Sequence, residues 1–232
     1  MKIYGLQKLT LLDFPERVAC TVFLGGCNLR CPFCHNSVLV FPEPEDETMD
    51  EDAFFRFLDK RRGVLDGVAI TGGEPLLTAD VLPFIERIKA MDYAVKLDTN
   101  GSFPARLREL VDAGLVDYVA MDIKNAPDKY AETCGLPMFD LSKVRQSADF
   151  LMRQNKIPYE FRTTVVDEFH EAGDMEAIGR WIAGARAYYL QNFVDSGACI
   201  RQGLHAKTPE EMHLFRSLLQ KYVPNTQVRG IE

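Results

Sequence analysis

Cys27, Cys31 and Cys34 lie within eight residues of one another, in the spacing C-x-x-x-C-x-x-C. Thiolates are soft ligands that favour zinc or iron–sulfur centres. Because only three thiols are clustered, one metal position would stay open, and an open position is where a substrate or a cofactor can bind. The spacing therefore predicts a metal centre with room for a further ligand.

His35 directly follows the third cysteine, and three cysteines with one histidine are also a common set of zinc ligands. Gly25 and Gly26 precede the loop and would allow the backbone to approach a bulky cluster closely. The spacing alone is equally consistent with an iron–sulfur centre and with a zinc site.

The rest of the chain alternates apolar runs typical of strands with helical patterns, which predicts a parallel sheet with right-handed crossovers. The predicted strands are 18–24, 67–71, 94–98, 117–122, 159–166 and 187–193, and a short one ends the chain at 227–231. The predicted helices are 48–62, 78–91, 104–113, 141–154, 174–184 and 208–222. Six strand–helix units are too few to close an eight-fold barrel. We therefore expect an α/β fold, an open partial (β/α)6 barrel with outer helices.

One helix has a clear start signal, because Thr48 and Glu51 have the spacing of a capping box. The helix is expected to run to about Arg62 and to stop at Gly63.

The carboxyl ends of the predicted strands carry polar and glycine residues, and active sites of parallel barrels lie at this edge. After the first strand, with its three cysteines, these residues are Gly72, Gly73, Glu74, Asp98, Asn100, Asp122, Lys124 and Arg162. Each signal is modest alone, since Gly-Gly and Asn-Gly also occur in ordinary turns. Their placement at successive strand ends favours a binding site.

Two of these positions suggest a zwitterionic ligand. Asp122 and Lys124 are two residues apart in a strand and so share a face, where a carboxylate and an ammonium could bind a zwitterion. An ordinary ion pair is the alternative. Arg162 lies within a half-apolar strand and needs a carboxylate partner, from either a ligand or the protein.

The composition excludes several classes of partner. The net charge is −7 and there is no long basic run, which argues against nucleic acid. No apolar run approaches the roughly 20 residues of a membrane helix, and the first residues lack the apolar core of a signal peptide. Cys20, Cys134 and Cys199 are scattered, which favours a metal site in a reducing cytoplasm over a disulfide framework.

The motifs together resemble a known family. The segment CNLRCPFCHN, followed by GGEP at the second strand end, resembles the radical SAM superfamily. The runs DTNG and MDIK resemble its glycyl-radical-enzyme activases, and GLQKLTLLDFPERVACTVF with QNFVDSG resembles the anaerobic ribonucleoside-triphosphate reductase activating proteins. The resemblance implies one domain over 1–232, with a core at about 17–193 and a C-terminal helix and short strand within 194–232.

The resemblance also implies cofactors and their contacts. Cys27, Cys31 and Cys34 would hold one 4Fe–4S cluster, whose unique iron binds S-adenosylmethionine (SAM). Phe33 would lie by the adenine of SAM. The resemblance assigns eight further residues to the SAM pocket: Gly72, Gly73, Glu74, Asp98, Asn100, Asp122, Lys124 and Arg162. It also implies that a monovalent cation can bind in this pocket.

The activity implied is reductive cleavage of SAM to a 5′-deoxyadenosyl radical, which takes a hydrogen atom from a glycine of a partner enzyme. That partner would be a glycyl radical enzyme, anaerobic ribonucleotide reductase in this branch, and flavodoxin or ferredoxin would donate the electron. Two alternatives stay open. One is a radical SAM enzyme acting on a small molecule or in cofactor maturation, and the other is a non-catalytic zinc-binding module.

Overall fold

The computed structural model describes residues 1–231 and contains nine strands and eight α-helices in that range. The strands are β1 Lys2–Thr10, β2 Ala19–Leu24, β3 Met49–Asp50, β4 Gly67–Gly72, β5 Ala94–Thr99, β6 Tyr118–Asp122, β7 Tyr159–Val165, β8 Tyr188–Asn192 and β9 Thr226–Arg229. The helices are α1 Ser37–Val40, α2 Glu51–Asp59, α3 Val81–Lys89, α4 Pro104–Asp112, α5 Tyr130–Thr133, α6 Leu141–Arg153, α7 Ala172–Trp181 and α8 Pro209–Leu219.

All nine strands form one sheet, in the order β3-β1-β2-β4-β5-β6-β7-β8-β9. Pairing is parallel from β2 to β9. The six strands predicted for the barrel are β2, β4, β5, β6, β7 and β8, and they lie side by side in chain order. This arrangement confirms the predicted α/β partial barrel, with β9 added to its last strand.

The amino-terminal strand β1 was not predicted. It pairs antiparallel with β2, and its register shifts twice, between Ile3 and Gly5 and between Gln7 and Thr10. Such irregularities break the strict alternation by which strands are recognised in a sequence. The short strand β3 pairs antiparallel with β1 and forms one edge of the sheet.

The start of α2 differs from the prediction. The helix begins at Glu51, and its N-cap is Asp50, whose Oδ1 accepts a hydrogen bond of 2.6 Å from the backbone nitrogen of Ala53. The predicted capping box from Thr48 is therefore wrong, because Thr48 lies before β3 and a closer side chain caps the helix. The helix ends at Asp59, three residues before the predicted end.

A continuous apolar core fills the space between the sheet and the helices, and it includes one buried face from each longer helix. Phe14 closes the opposite end of the barrel from the strands' carboxyl ends, where it packs with Ala19, Ala94 and Tyr118. Within residues 1–231, no helix has the length and apolar character needed to cross a bilayer.

Candidate active site

A cavity opens at the carboxyl ends of the parallel strands and encloses about 830 Å³ of empty space, part of it open to solvent. Its walls come from the cysteine loop after β2 and from the ends of β4, β5, β6 and β7. The lining residues are Cys27, Leu29, Cys31, Phe33, Cys34, His35, Asn36, Val40, Thr71, Gly72, Gly73, Asp98, Thr99, Asn100, Asp122, Lys124, Arg162 and Thr164. The structure therefore brings together every predicted site residue except Glu74.

The cysteine loop is held in place by backbone hydrogen bonds from distant parts of the chain. Arg30 donates its backbone N–H to the carbonyl of Cys134 at 2.9 Å, and Arg201 donates its own to the carbonyl of Pro32 at 2.9 Å. The Arg30 guanidinium also donates to the carbonyl of Cys27 at 2.6 Å. The loop therefore presents its three thiols from a fixed backbone rather than from a free surface segment.

Burial and one nearby cation act in opposite directions on the three thiols. Burial raises the pKa of Cys27 to about 11 and also raises the pKa of Cys34. A hydrogen bond with Cys134 lowers the pKa of Cys31. The ammonium of Lys124 opposes the effect of burial on the pKa of each thiol, but at Cys27 and Cys34 burial outweighs it.

The two glycines after β4 allow that loop to lie directly against the start of the cysteine loop. A Cβ on Gly72 would lie 2.2 Å from the carbonyl oxygen of Leu24, and one on Gly73 would lie 2.0 Å from that of Gly26. The backbone nitrogens of Gly73 and Glu74 donate to these same two oxygens, each at 2.8 Å. These N–H groups therefore join the two loops rather than facing a ligand.

Glu74 lies behind the cavity wall and is 1% exposed. Its Oε1 accepts hydrogen bonds from Thr99 Oγ1 at 2.8 Å and from the backbone nitrogen of Leu76 at 3.0 Å. Its Oε2 accepts from the backbone nitrogen of Asn100 at 2.7 Å. Burial raises the pKa of Glu74 to about 7, although the three donors oppose that shift. The side chain contacts the residues that shape the cavity rather than the cavity itself.

Four of the predicted residues form a chain of ion pairs across the cavity floor. Arg162 donates from Nη1 to Asp98 Oδ2 at 3.2 Å and from Nε to Asp122 Oδ1 at 3.1 Å. Lys124 Nζ lies 2.9 Å from Asp122 Oδ2, as the shared strand face predicted. Burial alone would raise the pKa of Asp122, but Lys124 and Arg162 outweigh it and lower the pKa to about 2.

Lys96 extends this chain and was not among the predicted site residues. Its side chain is 2% exposed, and its Nζ contacts Asp98 Oδ1. A signal was available, because Lys96 is the only charged residue among the first four of β5 and shares a strand face with Asp98. A buried ammonium in such a position needs a carboxylate partner.

Two aromatic rings complete the walls. Phe33 is buried, and its ring centroid lies 5.8 Å from that of Phe169. His35 stacks on Phe193 with centroids 5.3 Å apart, and burial lowers its pKa, which favours the neutral imidazole.

Within residues 1–231, no three His, Cys, Asp or Glu side chains are grouped closely enough to hold a single metal ion.

The sequence profile of the radical SAM superfamily matches residues 21–174, which include the cysteine loop and the whole ion-pair chain. This chain belongs to the radical SAM superfamily. Membership implies a 4Fe–4S cluster and SAM as cofactors and a catalytic, enzymatic role. The donors of the cavity fit such a cluster, because three cysteines line it while Cys20, Cys134 and Cys199 do not.

Two relatives of known or provisional name are similar to this chain within the superfamily. A Methanocaldococcus jannaschii protein that carries the provisional name of glycyl-radical enzyme activating enzyme is 32% identical over 238 residues, covering 99% of this chain and 96% of the relative. The pyruvate formate-lyase-activating enzyme of Listeria monocytogenes is 30% identical over 142 residues, covering 56% of each protein.

Among solved structures, Streptococcus suis SuiB bound to S-adenosylmethionine superposes with a TM-score of 0.67 at 13% sequence identity. The match covers 90% of this radical SAM chain and 52% of SuiB, so the chain spans about half of that structure. At this identity the likeness establishes the shared fold.

Proposed function

We propose that this radical SAM protein is an activase that installs a radical on a glycine of a partner enzyme. The observation that carries the proposal is a cavity with three cysteine thiols on one wall and the Lys124–Asp122–Arg162 ion pairs on its floor. Similarity over nearly the full length to a provisionally named glycyl-radical enzyme activating enzyme supports the choice of substrate class.

We assign the cluster to Cys27, Cys31 and Cys34, which together leave one iron without a protein ligand. That vacancy, next to charged side chains, suits a ligand with an amino and a carboxylate group. When bound, the cluster and SAM would supply one-electron reductive cleavage of the sulfonium, and the glycine hydrogen atom would end on 5′-deoxyadenosine.

The chain's own residues would place and bind SAM. Lys124 and Arg162 are the cations available to a ligand carboxylate. Asn100 lines the same cavity, with its side chain held by Asn28 and by the backbone nitrogen of Ser102. Phe33 supplies an apolar wall for the adenine. The remaining assigned pocket residues are Gly72, Gly73, Asp98 and Asp122.

Glu74 would not contact SAM directly. Its carboxylate fixes Thr99 and Asn100, so we assign it a positioning role instead of the direct contact expected from the sequence.

We further propose anaerobic ribonucleotide reductase as the partner and flavodoxin or ferredoxin as the electron donor. The support for this partner is the resemblance carried by the amino-terminal segment and by the run from Gln191 to Gly197. An open barrel suits a protein substrate, because a peptide loop must reach the cavity. The sheet ends in the unpaired edges of β3 and β9 within residues 1–231, which leaves the barrel open.

The test is electron paramagnetic resonance of anaerobic mixtures of reconstituted protein, SAM, a one-electron reductant and the candidate reductase. We expect a glycyl radical signal on the reductase, and no signal when Cys31→Ala protein replaces the wild type. A Cys20→Ala protein is the matched control, since Cys20 is buried in β2 away from the cavity, and it should support the signal.

The alternative is a radical SAM enzyme that acts on a small molecule. It would be favoured if the protein cleaves SAM but gives no glycyl radical with any glycyl radical enzyme encoded in the same genome. Absence of both SAM cleavage and radical formation in cluster-loaded protein would contradict the radical SAM chemistry itself.

A further inference from the structure

Lys96 is an unusual residue for the interior of a barrel. Its side chain is 2% exposed and lies in β5 between the buried residues Val95 and Leu97. Removing an ammonium from water costs several kcal/mol unless an opposite charge compensates. Asp98, two residues along the same strand face, provides that charge through Oδ1.

The two acidic side chains of the cavity floor are fully paired by the protein itself. Arg162 contacts Asp98 Oδ2 at 3.2 Å and Asp122 Oδ1 at 3.1 Å, and Lys124 contacts Asp122 Oδ2 at 2.9 Å. With Lys96 on Asp98 Oδ1, each of the four carboxylate oxygens has a cationic side chain as its partner.

This pairing leaves little for an added metal cation to bind. Alkali and alkaline-earth ions are hard cations that need oxygen ligands free to coordinate them. Here three cations face two carboxylates, so the group has a net charge of +1 and would repel a further cation. The same positive charge attracts a ligand carboxylate.

We propose that the ammonium of Lys96 is a built-in cation of the SAM pocket, for which the family resemblance implied a monovalent metal ion. SAM binding then requires neither sodium nor potassium. Lys96 acts through Asp98 and is a positioning residue. This inference rests on the proposed function, because it concerns the pocket assigned to SAM.

The first test measures the Kd of SAM for cluster-loaded wild-type protein in potassium, sodium and tetramethylammonium chlorides at equal ionic strength. Tetramethylammonium maintains the ionic strength but is too large for a coordination site between carboxylates. We expect the three Kd values to agree within about twofold. A Kd that is about tenfold weaker in tetramethylammonium would overturn the proposal.

The second test uses Lys96→Met, which keeps much of the apolar stem and removes the charge. Asp98 then has one free oxygen, and we expect SAM binding about tenfold weaker in tetramethylammonium and largely restored by potassium. Equal Kd values in all three salts, whether weakened or not, would overturn the proposal. Lys89→Met is the matched control, since Lys89 pairs with Asp117 outside the cavity and its loss should introduce no potassium effect.

A readout without cofactors separates this inference from the proposed function. In cluster-free Lys96→Met protein, potassium should raise the Tm above its value in tetramethylammonium, because a cation that binds only the folded state stabilises it. Cluster-free wild type should show no such difference, and a potassium-dependent Tm in the wild type would contradict the proposal even if SAM did not bind. If Lys96→Met does not fold, the double variant Lys96→Met/Asp98→Asn replaces it, because it removes both charges of the pair. The comparison of wild-type Tm values in potassium and tetramethylammonium still tests the proposal.

Discussion

Glu74 Oε2 accepts a hydrogen bond of 2.7 Å from the backbone nitrogen of Asn100, which joins the loop after β4 to the end of β5. The side-chain amide of Asn100 donates in turn to Asn28 Oδ1 at 2.9 Å and lies 3.9 Å from Cys27 Sγ. One buried carboxylate is therefore connected, through a single residue, to the loop that carries the three thiols.

Replacing Glu74 with Gln should destabilise the protein while keeping the volume of the side chain. One carboxylate oxygen becomes an NH2 group, which cannot accept a hydrogen bond and leaves a buried N–H donor without its partner. We expect a loss of about 2 kcal/mol and a fall in Tm of about 4–8 °C, measured by calorimetry of the cluster-free protein.

The matched control for Glu74→Gln is Glu86→Gln, because Glu86 lies on the exposed face of α3. Its replacement should change the Tm little. Equal Tm values for Glu74→Gln and the wild type would show that the buried carboxylate does not stabilise the junction of the two loops.

Replacing Gly73 with Ala should displace the loop after β4 from the cysteine loop. The added methyl group would lie 2.0 Å from the carbonyl oxygen of Gly26, which no small adjustment of a side chain can relieve. We expect a lower Tm and poorer retention of iron after anaerobic reconstitution, measured by calorimetry and by iron analysis.

Gly173→Ala is the control for that substitution. Gly173 lies in α7, and a Cβ there would have no atom within 4 Å. Since Ala favours helix over Gly by about 1 kcal/mol, this variant should be as stable as the wild type or more so. Similar behaviour of both alanine variants would exclude a special steric role for Gly73.

The stabilising effect of Asp122 should depend on pH. Lys124 and Arg162 lower the pKa of Asp122 to about 2 in the folded protein, from an ordinary value of 3.8. A carboxyl group with a lowered pKa stabilises the fold fully above its unfolded pKa and loses that effect as the pH falls through its folded pKa. We expect Asp122→Asn to be about 2 kcal/mol less stable than the wild type at pH 6, and the difference to shrink by about half at pH 3.

Urea unfolding of both proteins at the two pH values measures this difference. A gap between wild type and Asp122→Asn that stayed constant from pH 6 to pH 3 would mean that the carboxyl group titrates alike in the folded and unfolded states. The ion pairs with Lys124 and Arg162 would then contribute nothing to stability.

The sequence predicted the barrel and most of the cavity for a physical reason. Parallel strands such as β4 and β6 are buried on both faces, so they appear as short apolar runs that are easily recognised. Because their carboxyl ends meet at one edge, residues such as Asp98, Asp122 and Arg162 could be grouped before any coordinates were known.

The predictions failed where side chains are used in ways that residue types do not reveal. Glu74 follows two glycines at a strand end, yet its carboxylate turns toward backbone donors behind the wall. Lysine is usually a surface residue, but Lys96 lies inside the barrel, where Asp98 compensates its charge. Irregular register hid β1, and a closer side chain than Thr48 caps α2.

The most direct test of the central claim is the content of iron and acid-labile sulfide, together with 5′-deoxyadenosine formation, in protein purified and reconstituted without oxygen. We expect iron and sulfide in equal amounts, and 5′-deoxyadenosine when SAM and a reductant are added. In Cys31→Ala protein, 5′-deoxyadenosine formation should be lost. Wild-type protein that contains zinc without labile sulfide and leaves SAM intact would contradict the claim that these three thiols hold a catalytic iron–sulfur cluster.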